Sequence, residues 1–388
     1  MRDRPDVAIM LFDLTVSGVS RNAVRVANAA QAAGLKIEVW LAQARGELRD
    51  ELDPDIAQRA LGAELAAGYT RRERKLASKA LAGSLASLYA ERRPLVALSA
   101  GNHFHDLAVA ARRLVTEREM RLIGRVSNAA PNANRSLNPF KLMMKRRKAA
   151  ARYAAMDRIV AVSGEIRDEL VAELKVPSTK VSIIRNGIDL AFVERQSADV
   201  AEWPWRDNAP VLLGVGRLVP QKNFELLIEA FALACRQRPL RLAILGDGPE
   251  GAREALLDRA RSLGVADDVW LPGHVANPYP YYRRAGLFVL SSRWEGMSNA
   301  LLEAMACGCP VVAAKSAAGS AEILDRGKYG QLAETTAPAL ADAILATLDE
   351  RIPAEQLIAR AREFDLTRSL ENYVTLFRDE IAKGQTRA

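Results

Sequence analysis

Apolar residues in this chain come in short runs bounded by polar turns, and these runs alternate with stretches of helical apolar spacing. Residues 7–12 form the first run, 13–22 a polar loop, and 23–34 a helical pattern that stops at Gly34. Strands are predicted next over 36–41, 95–99, 121–126, 158–162 and 181–184, and helices over 71–90, 106–119, 139–156 and 164–174. The alternation restarts after residue 210, with strands over 211–215, 240–245, 269–271, 287–291 and 311–314 and helices over 222–236 and 251–263. Strands separated by helices make parallel βαβ units. The expected fold is therefore α/β: two Rossmann-like, doubly wound domains whose strand-end loops face each other across a cleft. The first domain is expected over 1–195 and the second over 211–363, with 196–210 as a linker that carries Trp203-Pro204-Trp205 and no clear period. Residues 364–388 have helical spacing and are expected to cross back to the first domain.

A length of 388 residues agrees with two domains, and 49% hydrophobic with 26% charged residues excludes wholesale disorder. Three cysteines cannot form a disulfide framework, which fits a reducing compartment. No run of 18 uncharged apolar residues occurs, so no spanning helix is expected. Residues 7–12 lie between Asp6 and Asp13 and read as a strand rather than a signal peptide. The charge is uneven. Residues 1–200 carry 33 Lys and Arg against 23 Asp and Glu, and residues 201–388 carry 22 against 24. A basic half points to an anionic partner: a phosphorylated substrate, a membrane surface or nucleic acid.

The densest chemistry lies in GVGRLVPQKNFELLIEAF, residues 214–231. A strand ends at Gly216, Arg217 and Lys222 follow five apart, and a helix begins near Asn223. Backbone N–H groups at such a helix start, with two cations, make an anion site sized for a diphosphate. The second cluster is SSRWEGMSNALLEAMACGCPVVA, residues 291–313. Glu295 sits in a loop and Glu303 inside the following helix, with Gly296, Met297, Ser298 and Asn299 between them. A helix starting near Ser298 offers free N–H donors, and the two carboxylates can accept sugar and ribose hydroxyls. The bland alternatives are a βα turn with solvated basic residues and a Glu303 paired to an arginine.

With LGDGPE (245–250) and the N-terminal segments AVSGEIRDEL (161–170) and IRNGID (184–189), these runs resemble the GT-B glycosyltransferases of family 4, a large retaining group. The resemblance covers nearly the whole chain. It implies that Arg217 and Lys222 bind the donor diphosphate and that Glu295 holds donor-sugar hydroxyls. Glu303 would take the ribose, and Gly296, Met297, Ser298 and Asn299 would meet phosphate at the helix start. Gly216, Gly246 and Asp247 would line the nucleotide pocket, with His274 and Val275 near the base. Gly18, after the first strand, would let backbone approach the diphosphate from the other domain. Catalysis would rest on electrostatic stabilisation of the departing diphosphate with retention of configuration, and would need no metal or other cofactor.

The sequence departs from the family after the strand over 121–126, where a histidine is often found and Ser127-Asn128 stands here. Asn128 can hydrogen-bond a sugar hydroxyl, and His103 and His105 are candidate substitutes on the acceptor side, with Ser127 beside them. The His103/His105 pair lacks further ligands nearby and is not expected to hold a metal. Asp53-Pro54-Asp55 matches the metal motif of a different transferase class but reads as a helix-start turn, and Cys307-Gly308-Cys309 as a tight turn of small buried residues.

The basic helices over 71–93 and 139–152 carry apolar stripes and suit an anionic membrane surface. Aromatics make up only 6% of the chain and are not interleaved with the basic residues, which argues against nucleic acid. The expected function is a cytoplasmic, peripheral glycosyltransferase. It would use a nucleoside-diphosphate sugar, with UDP as the expected base, on a glycan or lipid-linked acceptor such as lipopolysaccharide or polysaccharide. The alternatives are a nucleotide-sugar 2-epimerase of the same fold and a non-catalytic glycan- or nucleotide-sugar-binding subunit.

Overall fold

The first strand, β1 (Val7–Leu11), is buried at all five positions, which its uninterrupted apolar sequence requires of a strand covered on both faces. The structure is a computed structural model that describes residues 4–62, 71–115, 120–128 and 138–386, with 71–79 described in backbone only. By its contacts the chain divides into one unit of Met1–Arg185 with Thr367–Ala388 and a second of Asn186–Leu366.

In the first unit β1 is followed by α1 (Gly18–Ala32), β2 (Ile37–Leu41), β3 (Ala57–Ala60), α2 (Arg71–Arg92), β4 (Val96–Ser99) and α3 (His105–Arg113). Then come β5 (Arg121–Val126), α4 (Pro139–Ala154), β6 (Arg158–Ala161), α5 (Gly164–Ala172) and β7 (Val181–Ile183). The seven strands lie parallel in the order β3-β2-β1-β4-β5-β6-β7. The second unit begins with α6 (Leu190–Ser197), β8 (Val211–Val215), α7 (Phe224–Cys235), β9 (Arg241–Leu245), α8 (Ala252–Ser262), β10 (Val269–Gly273) and α9 (Tyr279–Arg284). It continues through β11 (Leu287–Leu290), α10 (Asn299–Ala306), β12 (Val311–Ala314), α11 (Ser320–Ile323), β13 (Gln331–Ala333), α12 (Ala337–Asp349) and α13 (Ala354–Arg362). Its six parallel strands run β10-β9-β8-β11-β12-β13. Each unit is thus Rossmann-like, the pair being the two-domain GT-B fold, and the strand order reverses at β1/β4 and at β8/β11.

The final helix, α14 (Leu366–Gln385), belongs to the first unit from Thr367 onward. Tyr373, Val374, Leu376 and Phe377 join that unit's core. Glu380 is fully buried and accepts from Arg121 Nε at 2.9 Å and Nη2 at 2.5 Å, while Arg125 Nε donates to the Tyr373 hydroxyl at 3.0 Å. A buried pair of this kind fixes position more than it adds stability, since both ions lose their water.

Several sequence expectations need correction. The stretch 196–210 is not where the units part; the chain crosses at Arg185/Asn186 and at Leu366/Thr367. Residues 196–210 lack a period because they lay side chains onto the second unit, with Ala201 fully buried and Trp203 stacked edge-on against Trp270 and Tyr281. The two crossings are bonded where they leave that unit, Ile188 N to Phe364 O at 2.8 Å and Leu366 N to Ile188 O at 3.2 Å. The loop over 13–22 is shorter than expected, because Ser17 caps α1 by accepting from Ser20 N and the helix starts at Gly18. Asp53-Pro54-Asp55 starts no helix: Asp53 Oδ1 accepts from Asp55 N in a turn that leads into β3, a strand the pattern did not predict. The helix expected over 106–119 ends as α3 at Arg113, and residues 116–119 lie outside the described residues.

Candidate functional site

In the second unit, the loops leaving β8, β9 and β10 are stitched together by main chain. Gly216 N donates to Leu245 O at 2.9 Å, Gly246 N to Gly273 O at 2.8 Å, and Leu218 N to Asp247 O at 2.8 Å. Gly246 has a φ of +141°, and a Cβ there would lie 2.1 Å from Gly216 O. No other residue fits that position. The site therefore has a floor of fixed backbone at the carboxyl ends of the strands, beside the β8/β11 reversal where ligands of such sheets bind.

Two loops rise on either side of that reversal and bond to each other. Arg293 N donates to Gln221 O at 2.8 Å, Ser291 Oγ to Lys222 O at 2.8 Å, and Arg293 Nε to Asn223 Oδ1 at 2.9 Å. Lys222 Nζ donates to Glu295 Oε1 at 2.6 Å, and Ser292 Oγ donates to the same oxygen at 2.9 Å. Glu295 is only 7% exposed, so its carboxylate needs these partners. The lysine crosses from the β8–α7 loop to the β11–α10 loop, and its stem lies over Gly216. Arg217 is exposed and makes no side-chain hydrogen bond or ion pair among the described residues.

The start of α10 closes the group. Ser298 is its N-cap, with Oγ accepting from Leu301 N at 3.3 Å, so the amides of Asn299 and Ala300 are left for another acceptor. Glu303, one turn in, accepts from the Tyr282 hydroxyl at 3.2 Å. The Tyr282 hydroxyl is thus a partner of Glu303 that the sequence did not suggest. Burial, and then the Glu303 charge, raise the Tyr282 pKa well above its ordinary value, so this hydroxyl stays a donor.

The structure brings Gly216, Lys222, Glu295, Gly296, Met297, Ser298, Asn299 and Glu303 onto these adjoining loops and the helix start. Gly246 and Asp247 lie one strand away, with Asp247 exposed. His274 and Val275 follow β10, two strands from β8, and His274 is exposed. Two residues not singled out for the site from sequence also shape it. Asn186 Nδ2 donates to Met297 O at 3.2 Å and to Asn299 Oδ1 at 2.8 Å, tying the chain crossing to α10. Gly319, at φ +77°, passes so close to Gly296 that a Cβ would lie 2.5 Å from its carbonyl. The IRNGID run contains Asn186, but nothing in its spacing says what it touches.

In the first unit the picture differs. Gly18 is the first residue of α1 and not a loop glycine, so any contribution it makes is through a helix-start amide. His105 is fully buried, with Nδ1 2.7 Å from Ser99 Oγ and its ring edge-on to Tyr153. Burial, then the Arg152 charge, push its pKa down to about 3, so it is a neutral core residue that no acceptor can reach. That corrects its candidacy; His103, two residues earlier, is exposed. Ser127 and Asn128 are half-buried and held by a residue sequence did not single out: Asn102 Oδ1 accepts from Ser127 N at 2.9 Å and Asn102 Nδ2 donates to Asn128 O at 3.2 Å.

The two basic helices also part company. In α2, the side chains of Arg71, Arg72, Arg74, Lys75 and Lys79 lie outside the described residues, and Arg92 turns inward to Glu38 at 2.6 Å. In α4, Phe140, Met143 and Met144 are 65%, 44% and 50% exposed, beside exposed Lys141, Lys145 and Arg147. Among the described residues no helix is long and apolar enough to cross a membrane. Cys307 and Cys309 lie near different carbonyls, of Tyr279 and of Ala285, as packed residues of a turn.

Known proteins resemble this chain in sequence and in fold. Residues 209–350 match the profile described as glycosyl transferases group 1, and residues 16–192 that of glycosyltransferase family 4. The chain is similar to D-inositol 3-phosphate glycosyltransferase 1 of Catenulispora acidiphila, 30% identical over 301 residues, 72% of this chain and 70% of that one. It is also similar to N-acetylgalactosamine-N,N'-diacetylbacillosaminyl-diphospho-undecaprenol 4-alpha-N-acetylgalactosaminyltransferase of Campylobacter jejuni, 33% identical over 183 residues. That match covers 47% of this chain and 48% of the relative; the chain spans about half the length of the first curated relatives it matches. Among solved structures, sucrose-phosphate synthase from Thermosynechococcus elongatus superposes with a TM-score of 0.81 at 18% identity, over 98% of this chain and 100% of that one. HepE of Anabaena, solved with UDP and glucose, superposes with a TM-score of 0.70 at 19% identity, over 99% of this chain and 100% of that one.

Proposed function

The chain belongs to the glycosyltransferases of family 4, and on that premise we propose that it is a retaining transferase moving a sugar from a UDP-sugar to a lipid-linked, lipopolysaccharide or polysaccharide acceptor. The observation that carries this reading is the pairing of Lys222 with Glu295 above the Gly216/Gly246 backbone, beside the α10 N-terminus. A donor diphosphate fits between Arg217, Lys222 and the Asn299 and Ala300 amides. A cation about 4 Å from a phosphate supplies ~4 kcal/mol of gross attraction at an effective dielectric near 20. As the sugar–oxygen bond breaks, negative charge collects on the diphosphate, and these fixed donors stabilise that charge more than they stabilise the bound donor. Glu295 holds Lys222 aimed at the diphosphate and accepts a donor-sugar hydroxyl with its second oxygen. Glu303, oriented by Tyr282, accepts the ribose diol.

UDP is favoured because HepE, of the same fold, is solved with it. A lipid-linked acceptor is favoured by the C. jejuni relative, whose name places its acceptor on diphospho-undecaprenol. The exposed Phe140, Met143 and Met144 among lysines and arginines suit the surface of an anionic bilayer, where such an acceptor resides. In this reading the enzyme works peripherally at the inner face of the cytoplasmic membrane.

Proton NMR of slow UDP-sugar hydrolysis tests the reaction class. From an α-linked donor, the free sugar should form first as the α anomer and only then mutarotate. First formation of the β anomer contradicts retention.

A further inference from the structure

Trp203 and Trp205, of a Trp-Pro-Trp motif the donor chemistry leaves unused, form one wall of a cavity in the second unit. The cavity measures about 280 Å³, just below the ~300–1,000 Å³ range of ligand pockets and enough for a single sugar unit. Val211, the first residue of β8, and Gly286, just before β11, also line it. It therefore opens at the amino ends of the strands whose carboxyl ends carry the donor loops. Five residues of β8 separate the two ends, roughly 16 Å at ~3.3 Å per residue.

The lining is pre-organised. Trp203 is fixed edge-on against Tyr281 and Trp270, with ring centroids 5.0 and 6.1 Å away. The Trp205 ring lies 5.7 Å from the Arg241 guanidinium, and its indole N–H donates to Asp267 O at 3.3 Å. Arg241 is held flat by Asp207, with Nε to Oδ2 at 3.1 Å, and by Asp268. Arg284 and Arg351 bring two more guanidinium groups to the same cavity, while the carboxylates of Asp207 and Asp268 are both already paired with Arg241. Arg284 donates to Ala201 O, and Arg351 is exposed.

We propose that this cavity is a second carbohydrate site, which takes one sugar unit bearing a carboxylate or a phosphate. Rigid indole faces suit the apolar face of a pyranose ring, because they bury apolar area at little entropic cost. Guanidinium forks pair with carboxylate or phosphate through two parallel hydrogen bonds, and with Arg241 engaged by Asp207 and Asp268, Arg284 and Arg351 are the groups that select an anionic ligand. The cavity shares no residue with the donor loops, so the proposal stands whichever nucleotide the donor carries.

Calorimetric titration of the full chain with glucuronate, glucose 6-phosphate, glucose and inorganic phosphate tests it, with UDP titrated in parallel. The two acidic sugars should bind at least about tenfold more tightly than glucose or phosphate alone. Glucuronate against glucose 6-phosphate tells which anionic group is preferred. Trp205→Ala and Arg351→Ala should each weaken that binding about tenfold and leave UDP affinity unchanged. Arg351 is exposed, so its variant tests the site without disturbing a packed residue. Equal affinity for phosphate and glucose 6-phosphate, no binding of either acidic sugar, or full binding by Arg351→Ala would each overturn the proposal. Loss of UDP binding by the unmodified chain would count against the donor reading alone.

Discussion

The loops beside the β8/β11 reversal of the second unit and those after β4 and β5 of the first are built by different means. In the second unit, main chain meets main chain: Gly246 against Gly216, and Gly319 against Gly296, with the Lys222–Glu295 pair above. In the first unit, the loops after β1 and β2 also meet main chain to main chain, a Cβ at Gly46 lying 2.0 Å from the Leu14 carbonyl carbon, but the loops after β4 and β5 are joined by the Asn102 side chain, which bridges Ser127 and Asn128. Backbone crowding admits one residue type, whereas an amide bridge can be replaced by other polar groups or by water. Rigid backbone floors suit the binding of a diphosphate, whose chemistry is fixed. Side-chain bridges leave room for variation at the loops after β4 and β5.

This contrast makes graded predictions. Glu295→Ala should lower turnover about 10³-fold, as loss of a pre-organised electrostatic group does, with the fold intact by circular dichroism. Gly246→Ala should cost about 3 kcal/mol or more in denaturant unfolding, because its methyl would meet the Gly216 carbonyl in a strained conformation. Gly34→Ala in the first unit has a positive φ but meets nothing within 4 Å, and should cost about 1 kcal/mol.

His105 gives a prediction on pH. Its ordinary pKa of 6.5 applies to the unfolded chain, and about 3 to the folded one. Between those values the unfolded state alone binds the proton. The stability from the neutral folded histidine is therefore present above pH 6.5 and is lost as pH falls toward 3, at ~1.4 kcal/mol per pH unit. His105→Phe should flatten the unfolding free energy over that window relative to wild type. Asn102→Ala should cost about 1 kcal/mol of stability for each of the hydrogen bonds it loses to Ser127 and Asn128, with UDP affinity unchanged.

How much of the molecule was legible in its sequence follows the same division. The alternation of buried strands and helices is set by hydrophobic period, so most elements were placed within a few residues. β3 escaped because its AQRA sequence is largely exposed and has no apolar signal. The boundary at Arg185/Asn186 escaped because it depends on which unit residues 186–210 pack against, a long-range matter without local pattern. Within the site, glycines and paired charges at fixed spacing marked the second unit's loops. Asn186, Asn102 and Tyr282 act through contacts 21 to 113 residues away, and such contacts leave no trace in spacing. His105 misled for a related reason: a histidine near a strand end looks the same in sequence whether it faces solvent or Ser99.

In the reading proposed above, Lys222, held by Glu295, stabilises the departing diphosphate of a nucleotide sugar. The most direct test of that role is nucleotide release from UDP-, GDP- and ADP-sugars by wild type and Lys222→Ala side by side. The account predicts slow release from one donor class, UDP first, that falls at least about 10²-fold in the variant while its unfolding transition stays cooperative. Equal release by the two proteins, or no binding of any nucleotide sugar by wild type, would contradict it.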